Sequence, residues 1–181
     1  RNCMTHSKGH AQYCGELLKY LNASRRMATL VNLDPAADVL PYPCPVDVRS
    51  LVSLDDVMRT EEGVAGFGPN GGLVFCIEYL AANLDWLQDA LEEADGGPDA
   101  YFVLDCPGQI ELYTHNPAMG HLIKALHTWG YSIGGVFLVD ASLVANDAAK
   151  YLSALLLATS AMIRMEIPWI NVLSKIDLIS V

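Results

Sequence analysis

Apolar residues recur along this chain at two alternating periods, one helical and one extended. Cys14, Leu17, Leu18 and Leu21 return at helical spacing and predict an amphipathic helix over about 11–22. The run MATLVNL over 27–33 is apolar, rich in β formers and of strand length, and Asp34-Pro35 stops it. Pro41, Pro43 and Pro45 break the next stretch into an irregular connection, followed by a short helix near 54–59. Residues 63–72 read as loop, and the spacing of Leu73, Ile77, Leu80, Leu84 and Leu87 predicts one long helix from there to about residue 93. Strands AYFVL over 100–104 and GGVFLV over 134–139 flank a helix that begins after Pro117 and runs through Leu122, Ile123, Leu126 and Trp129. A helix around 150–163 and a last strand, WINVL over 169–173, complete the order.

Continuously apolar strands separated by helices are the mark of strands buried on both faces. The expected fold is therefore α/β, a mostly parallel sheet with helices on both faces. No repeat or linker divides residues 1–181, which read as a single domain.

Composition narrows the function classes. An apolar fraction of 52% with 18% charged residues excludes a disordered chain. With 11 basic against 21 acidic residues, the formal charge of −10 repels a phosphate backbone and argues against direct nucleic-acid binding. A small polyanion needs only a local site and stays open. The helix over 151–163 carries Ser153, Thr159 and Ser160 and is shorter than the roughly 20 residues a membrane span needs, so a core helix is expected and no membrane partner. Cys3, Cys14, Cys44, Cys76 and Cys106 have no chelating spacing and read as buried free thiols of a reducing compartment, cytosol or nucleus. Residues 1–10 lack the apolar segment of a secretory signal and open without Met, so a truncated start is expected.

In open parallel sheets ligands bind outside the carboxyl ends of the strands. Here those positions hold Asp34, the segment 105–109, Asp140 and the segment 174–177. Asp105 can hold a water of a magnesium ion, Gly108 lets a backbone N–H approach a γ-phosphate, and Gln109 can orient an attacking water. An ordinary strand-to-loop turn explains Pro107 and Gly108 as well. Ser174-Lys175-Ile176-Asp177 fits a guanine-reading loop: the Asp carboxylate accepts two hydrogen bonds from the base, and the Lys stem lies along its plane. Taken alone, the tetrapeptide also fits an exposed loop. Asp34 suits a magnesium water shell or proton acceptance from water, and an Asp-Pro turn accounts for it equally. Gly68-Pro69-Asn70 is on its own a turn.

Taken together, NLDPAA, FGPNGGLVFCIEYLAANLDWL, DCPGQIELYTH, GVFLVD and SKIDL stand in the order seen in GPN-loop GTPases, which the chain resembles from about residue 13 to 178. That resemblance implies a P-loop NTPase fold of the SIMIBI-like GTPase type and a domain that hydrolyses GTP with Mg2+. It implies a dimer, either with another GPN-loop GTPase (the first paralogue) or with itself, in which Gly68, Pro69 and Asn70 form the dimer-interface loop. By the same comparison Asn70, Gln109 and Asp34 would be catalytic, and Asp34 and Asp105 would hold Mg2+ through water. Gly9, His10, Gly108, Ser174, Lys175, Ile176 and Asp177 would bind the nucleotide. The resemblance further implies a role in assembly and nuclear import of RNA polymerase II, with polymerase subunits as partners, in the cytoplasm with shuttling to the nucleus.

The front of the chain departs from the family pattern. Members carry an apolar strand and then Gly-x-x-x-x-Gly-Lys-Ser/Thr, whose backbone amides cradle phosphates. Over residues 4–12, Met4 takes the place of the first Gly, Gly9 survives, His10 replaces the Lys and Ala11 the hydroxyl; Lys8 is two positions out of register. An imidazole of ordinary pKa ~6.5 is mostly neutral at pH 7, so two to three charge-assisted bonds of ~1.5–3 kcal/mol each are lost. Poor GTP affinity is expected. The strand before Met4 is expected to be missing, and at Val181 the chain stops just past the guanine loop, so the fold is expected to be incomplete at both ends. The alternative function is a nucleotide-incompetent dimerisation and assembly partner.

Overall fold

The structure is a computed structural model describing residues 2–5, 9–59, 67–94, 97, 100–145 and 147–179. Its strands are β1 (Asn2–Thr5), β2 (Ala28–Asn32), β3 (Val46–Asp47), β4 (Tyr101–Asp105), β5 (Ile133–Asp140) and β6 (Trp169–Ser174). They pair in the order β3-β2-β4-β1-β5-β6, and every pairing is parallel. The parallel α/β expectation holds.

One expectation fails here. The strand thought missing before Met4 is present as β1 and occupies the middle of the sheet, with Met4 opposite Leu104 on one side and Gly135 on the other. Four residues with no apolar run give almost no strand signal. Two parallel neighbours offering backbone hydrogen bonds on both edges place the segment regardless of its side chains.

The helices are α1 (His10–Ala23), α2 (Leu54–Met58), α3 (Pro69–Ala82), α4 (Leu84–Glu93), α5 (Glu111–Thr114), α6 (Ala118–Thr128), α7 (Ala141–Val144) and α8 (Ala148–Met165). The long helix expected over 73–93 is two helices. Asn83 leaves helical geometry at φ −124°, ψ 48°, and its side-chain Nδ2 donates to the Tyr79 carbonyl at 2.7 Å, taking an acceptor that a continuing helix would use. The loop expected over 63–72 also gives way: Pro69 opens α3 at its first position, where a missing N–H costs nothing, and Gly72 N donates to Gly68 O at 2.8 Å. Residues 63–66 lie outside the described residues.

Side chains alternate across the sheet as period two demands. Leu30 and Val103 face α1 and its Cys14 and Leu21, while Val31, Phe102 and Leu104 face the larger core with Leu73, Ile77, Leu87, Met119 and Leu122. Helix α1 reaches further across the same face, where Tyr13 and Leu17 pack on Val136 and Leu138. Helix α8 is not the core helix expected. It buries Ala158, Ala161 and Met165 but exposes Leu152, Leu155, Leu156 and Ile163. Among the described residues no helix is long and apolar enough to cross a membrane. Cys14, Cys44, Cys76 and Cys106 are free thiols, all buried but the half-buried Cys44.

Candidate functional site at the carboxyl edge of the sheet

Because every strand is parallel, Asp34, Asp105, Asp140 and Ser174–Asp177 all follow the same edge. The two ends of that edge are built differently. At the β2/β4 end the backbone is tied across strands, with Leu33 N donating to Asp105 O at 2.8 Å. Buried Asn32 shapes the loop after β2: its Nδ2 donates to Asp47 Oδ1 at 2.9 Å and to Asp34 O at 3.1 Å, and its Oδ1 accepts from Asp34 N at 3.1 Å. Arg49 grips Asp47 through Nε and Nη2, at 3.0 and 2.6 Å, and donates from Nη1 to Ala37 O at 2.7 Å. Burial pushes Asp47 up, but the hydrogen bonds from Arg49 and Asn32 outweigh it and hold the carboxyl below its ordinary range.

The two carboxylates that resemblance assigns to magnesium behave as a pair. Burial raises Asp34, whose Oδ1 accepts from Ala36 N at 2.9 Å. Asp105 is pushed up to about 6 by burial, with a smaller push from the charge of Asp34 and against the lowering hydrogen bond from Tyr42. Tyr42, buried in the proline-broken segment, donates its hydroxyl to Asp105 Oδ2. Burial, the Asp105 hydrogen bond and the Asp105 charge all drive that phenol far above its ordinary value.

His10, first residue of α1, is buried beside them. Its Nδ1 lies 3.2 Å from Cys106 O and 3.9 Å from Asp105 Oδ1. Gly9 is the N-cap at φ −97°, and no atom lies within 4 Å of where a Cβ would stand. Ala11 and Gln12 continue the helix, and His6, Ser7 and Lys8 lie outside the described residues. Gln109 reaches from the loop after β4 to the start of α3, its Nε2 donating to Asn70 Oδ1 at 3.1 Å. Gly68, Pro69 and Asn70 are exposed there, as is Gly108. Gly72, one turn into α3, packs so close to α2 that a Cβ would stand 2.8 Å from Leu54 Cδ1, which fixes where the 68–70 turn projects.

At the other end, Ser174 closes β6 with Oγ donating to Val139 O at 3.1 Å. Lys175 takes a left-handed backbone, φ 57°, and donates from Nζ to Asp140 Oδ2 at 2.7 Å. Asp140 Oδ1 accepts from Ser142 N and Oγ at 3.0 and 2.6 Å, and the Lys175 bond first, then Ser142, lower its pKa. Ile176 and Asp177 follow in an exposed single turn. Strands β4 and β6 stand three places apart, roughly 14 Å at ~4.8 Å per strand.

Tyr42, Asn32 and Asp47 were missed by sequence reasoning. Asn32 opens the NLDPAA motif but was given no role, no motif marks Tyr42 or Asp47, and only the PYPCP punctuation around Tyr42 hinted at a shaped loop. Asp140 was seen as a strand-exit acid, but its grip on Lys175 depends on β5 and β6 being neighbours. Among the described residues no group of three or more His, Cys, Asp or Glu could hold a metal ion. Two adjacent oxygen donors instead suit a hard cation that keeps its own waters.

A parallel sheet in this order, with acids along its carboxyl edge and helix α1 next in the chain after the central strand, is the α/β fold of P-loop nucleoside triphosphatases. A solved structure of the same fold is a GTPase in apo form from Pyrococcus abyssi: TM-score 0.81, 25% identity, 99% of this chain and 68% of that one covered. The family model described as "Conserved hypothetical ATP binding protein" matches residues 5–181. GPN-loop GTPase 3 is 45% identical over 95% of this chain in Danio rerio and 47% identical over 94% in Dictyostelium discoideum. GPN-loop GTPase 2 of Danio rerio is 46% identical over 94% of it. The chain belongs to the GPN-loop GTPase family, and among its members it is most like GPN-loop GTPase 3. It spans 58% of the Danio rerio GPN-loop GTPase 3 and 52% of the GPN-loop GTPase 2.

Proposed function

We propose that residues 1–181 form one GTPase domain whose nucleotide lies along the carboxyl edge, phosphates at the β2/β4 end and base at β6. The observation that carries this reading is the convergence on one edge of a coupled carboxylate pair, Asp34 and Asp105, and of the 174–177 turn. A separation of roughly 14 Å is on the scale of an extended nucleoside triphosphate.

In this reading Asp177, exposed and without an ion pair among the described residues, accepts from the guanine edge, and Ile176 flanks the base. Asp140 positions Lys175 so that its stem lies where a base plane would pass. Gly9, His10 and Gly108 border the phosphates. Gln109 orients water, with Asn70 held against it. In the same reading Asp34 accepts a proton from that water. Magnesium, when bound, supplies charge neutralisation at the β- and γ-phosphates, with Asp34 and Asp105 holding its water shell. The family description names ATP and the relatives are named GTPases. The chemistry of the 174–177 turn favours guanine, because adenine presents a ring-nitrogen acceptor and a C–H where the Asp177 carboxylate needs the guanine N–H pair.

By family resemblance the domain would work as a dimer through Gly68–Asn70, with a first-paralogue partner or a second copy. RNA polymerase II assembly and import, in a protein that moves between cytoplasm and nucleus, belong to the same proposal.

The alternative reading, an assembly partner that does not use nucleotide, is favoured by one observation. His10 turns its ring inward to Cys106 O and Asp105, and Ala11 brings no hydroxyl. Titration with a fluorescent GTP analogue and Mg2+ separates the two. The chain as it stands should bind weakly, and His10→Lys with Ala11→Ser should tighten binding by about 100-fold, the equivalent of ~3 kcal/mol. Submicromolar binding by the unaltered chain would remove the case for a damaged front; no tightening in the double variant would favour the assembly partner. In that double variant Asp177→Asn should reduce the preference for GTP over ATP at least tenfold, and an unchanged ratio would show that the turn does not read the base.

A further inference from the structure

A groove of about 270 Å³ lies between α6 and the C-terminal end of α8, and none of the residues assigned above to nucleotide lines it. His121, Lys124 and His127 stand three residues apart along α6, and Arg164, in the last turn of α8, lines the groove with them. All four are exposed.

Two cations with two imidazoles beside them are unexpected in a chain of formal charge −10. Lys19, Arg49, Arg59, Lys150 and Lys175 are each within 4.0 Å of a carboxylate of the chain itself. Among the described residues Lys124 and Arg164 have no such carboxylate. Glu166 is the acid that borders the groove. It caps α8 in a left-handed backbone, φ 55°, and forms an ion pair with neither cation. A non-glycine residue rarely takes that conformation, and it turns the chain out of α8 at the groove's edge.

We infer that this groove binds an acidic peptide segment of a partner protein in extended conformation. The row of N–H donors sets the choice of ligand. His121 to His127, with Lys124 between them, covers about 9 Å along the helix at ~1.5 Å per residue, further than one phosphate or carboxylate can bridge. An extended chain repeats side chains on one face every ~6.6 Å, so two of its carboxylates fall within that row. Guanidinium and ammonium groups with no partner of their own meet them without first breaking an internal pair. The groove is separate from the carboxyl edge, so it would operate in a nucleotide-binding protein and in an assembly partner alike.

The test is fluorescence anisotropy with a fluorescein-labelled hexaglutamate peptide at low ionic strength. Binding is expected, weakening as salt is raised, and Lys124→Glu with Arg164→Glu should lower affinity by roughly tenfold or more. Arg25→Glu with Arg26→Glu removes the same charge from cations that likewise have no ion pair among the described residues but lie outside the groove, and should leave affinity within about twofold. Thermal melts of both variants confirm folding, and Lys124→Ala with Arg164→Ala gives the same reading without charge reversal. Absence of peptide binding, equal losses in the two double variants, or full competition by inorganic phosphate at matched ionic strength would each overturn the assignment.

Discussion

Asp105 sits where burial, a neighbouring carboxylate and a phenol meet, and its protonation has a sign that can be measured. Its pKa is about 6 in the folded chain against an ordinary 3.8. An acid raised on folding binds its proton more tightly in the native state, so stability falls as pH rises between about 4 and 6. Asp105→Asn keeps an acceptor for Tyr42 and abolishes that dependence. The variant should gain on the parent chain by up to about 3 kcal/mol between pH 4 and 7, as read by urea denaturation. Parallel pH profiles would show that the carboxyl is not held up by its surroundings. At this scale the sequence marked Asp34, Asp105 and Asp177 because strand exits in parallel sheets are identifiable from apolar runs. It could not mark Tyr42, whose role depends on a contact across 63 residues of chain.

The elements show where periodicity suffices and where it stops. The strands over 28–32, 101–105, 133–140 and 169–174 matched their apolar runs closely, because burial on both faces demands such runs. The central strand left no such trace, and the break at Asn83 was hidden because Leu73, Ile77, Leu80, Leu84 and Leu87 keep helical spacing through it. The contact between β5 and β6 is another matter of pairing. Gly135 lies opposite Trp169, and a methyl group there would run into the indole. Gly135→Ala should therefore cost ~1–3 kcal/mol and lower Tm by several degrees in calorimetry. Adding Trp169→Leu to that variant should recover part of the loss, whereas additive losses would mean that the two positions do not touch.

For the whole molecule, the edge formed by α8 and β6 is the least covered. Leu152, Leu155, Leu156 and Ile163 on α8, Ile170 and Leu173 on β6, and Ile176 and Leu178 beyond it are all exposed. Leu155 and Leu173 line one hollow between α8 and β6, and apolar surface so exposed drives association, while a formal charge of −10 opposes it through a repulsion that salt screens. The 181-residue chain should accordingly associate more as ionic strength rises, in contrast to a surface ion-pair contact. Leu156→Glu with Leu173→Glu should keep it monomeric in sedimentation velocity at 0.5 M salt, and an unaltered distribution would place the contact elsewhere.

The amino-acid order alone determined the alternation of strand and helix, the parallel class of the sheet and the edge on which the acids fall. Those follow from local periodicity and from the rule that ligands gather at carboxyl ends of strands. Only tertiary structure decided that residues 2–5 form the middle strand, that Tyr42 and His10 close on Asp105, that Asp140 holds Lys175 and that Lys124, Arg164 and two histidines line one groove. Each of these joins residues distant along the chain, and no window of sequence contains both halves of such a contact.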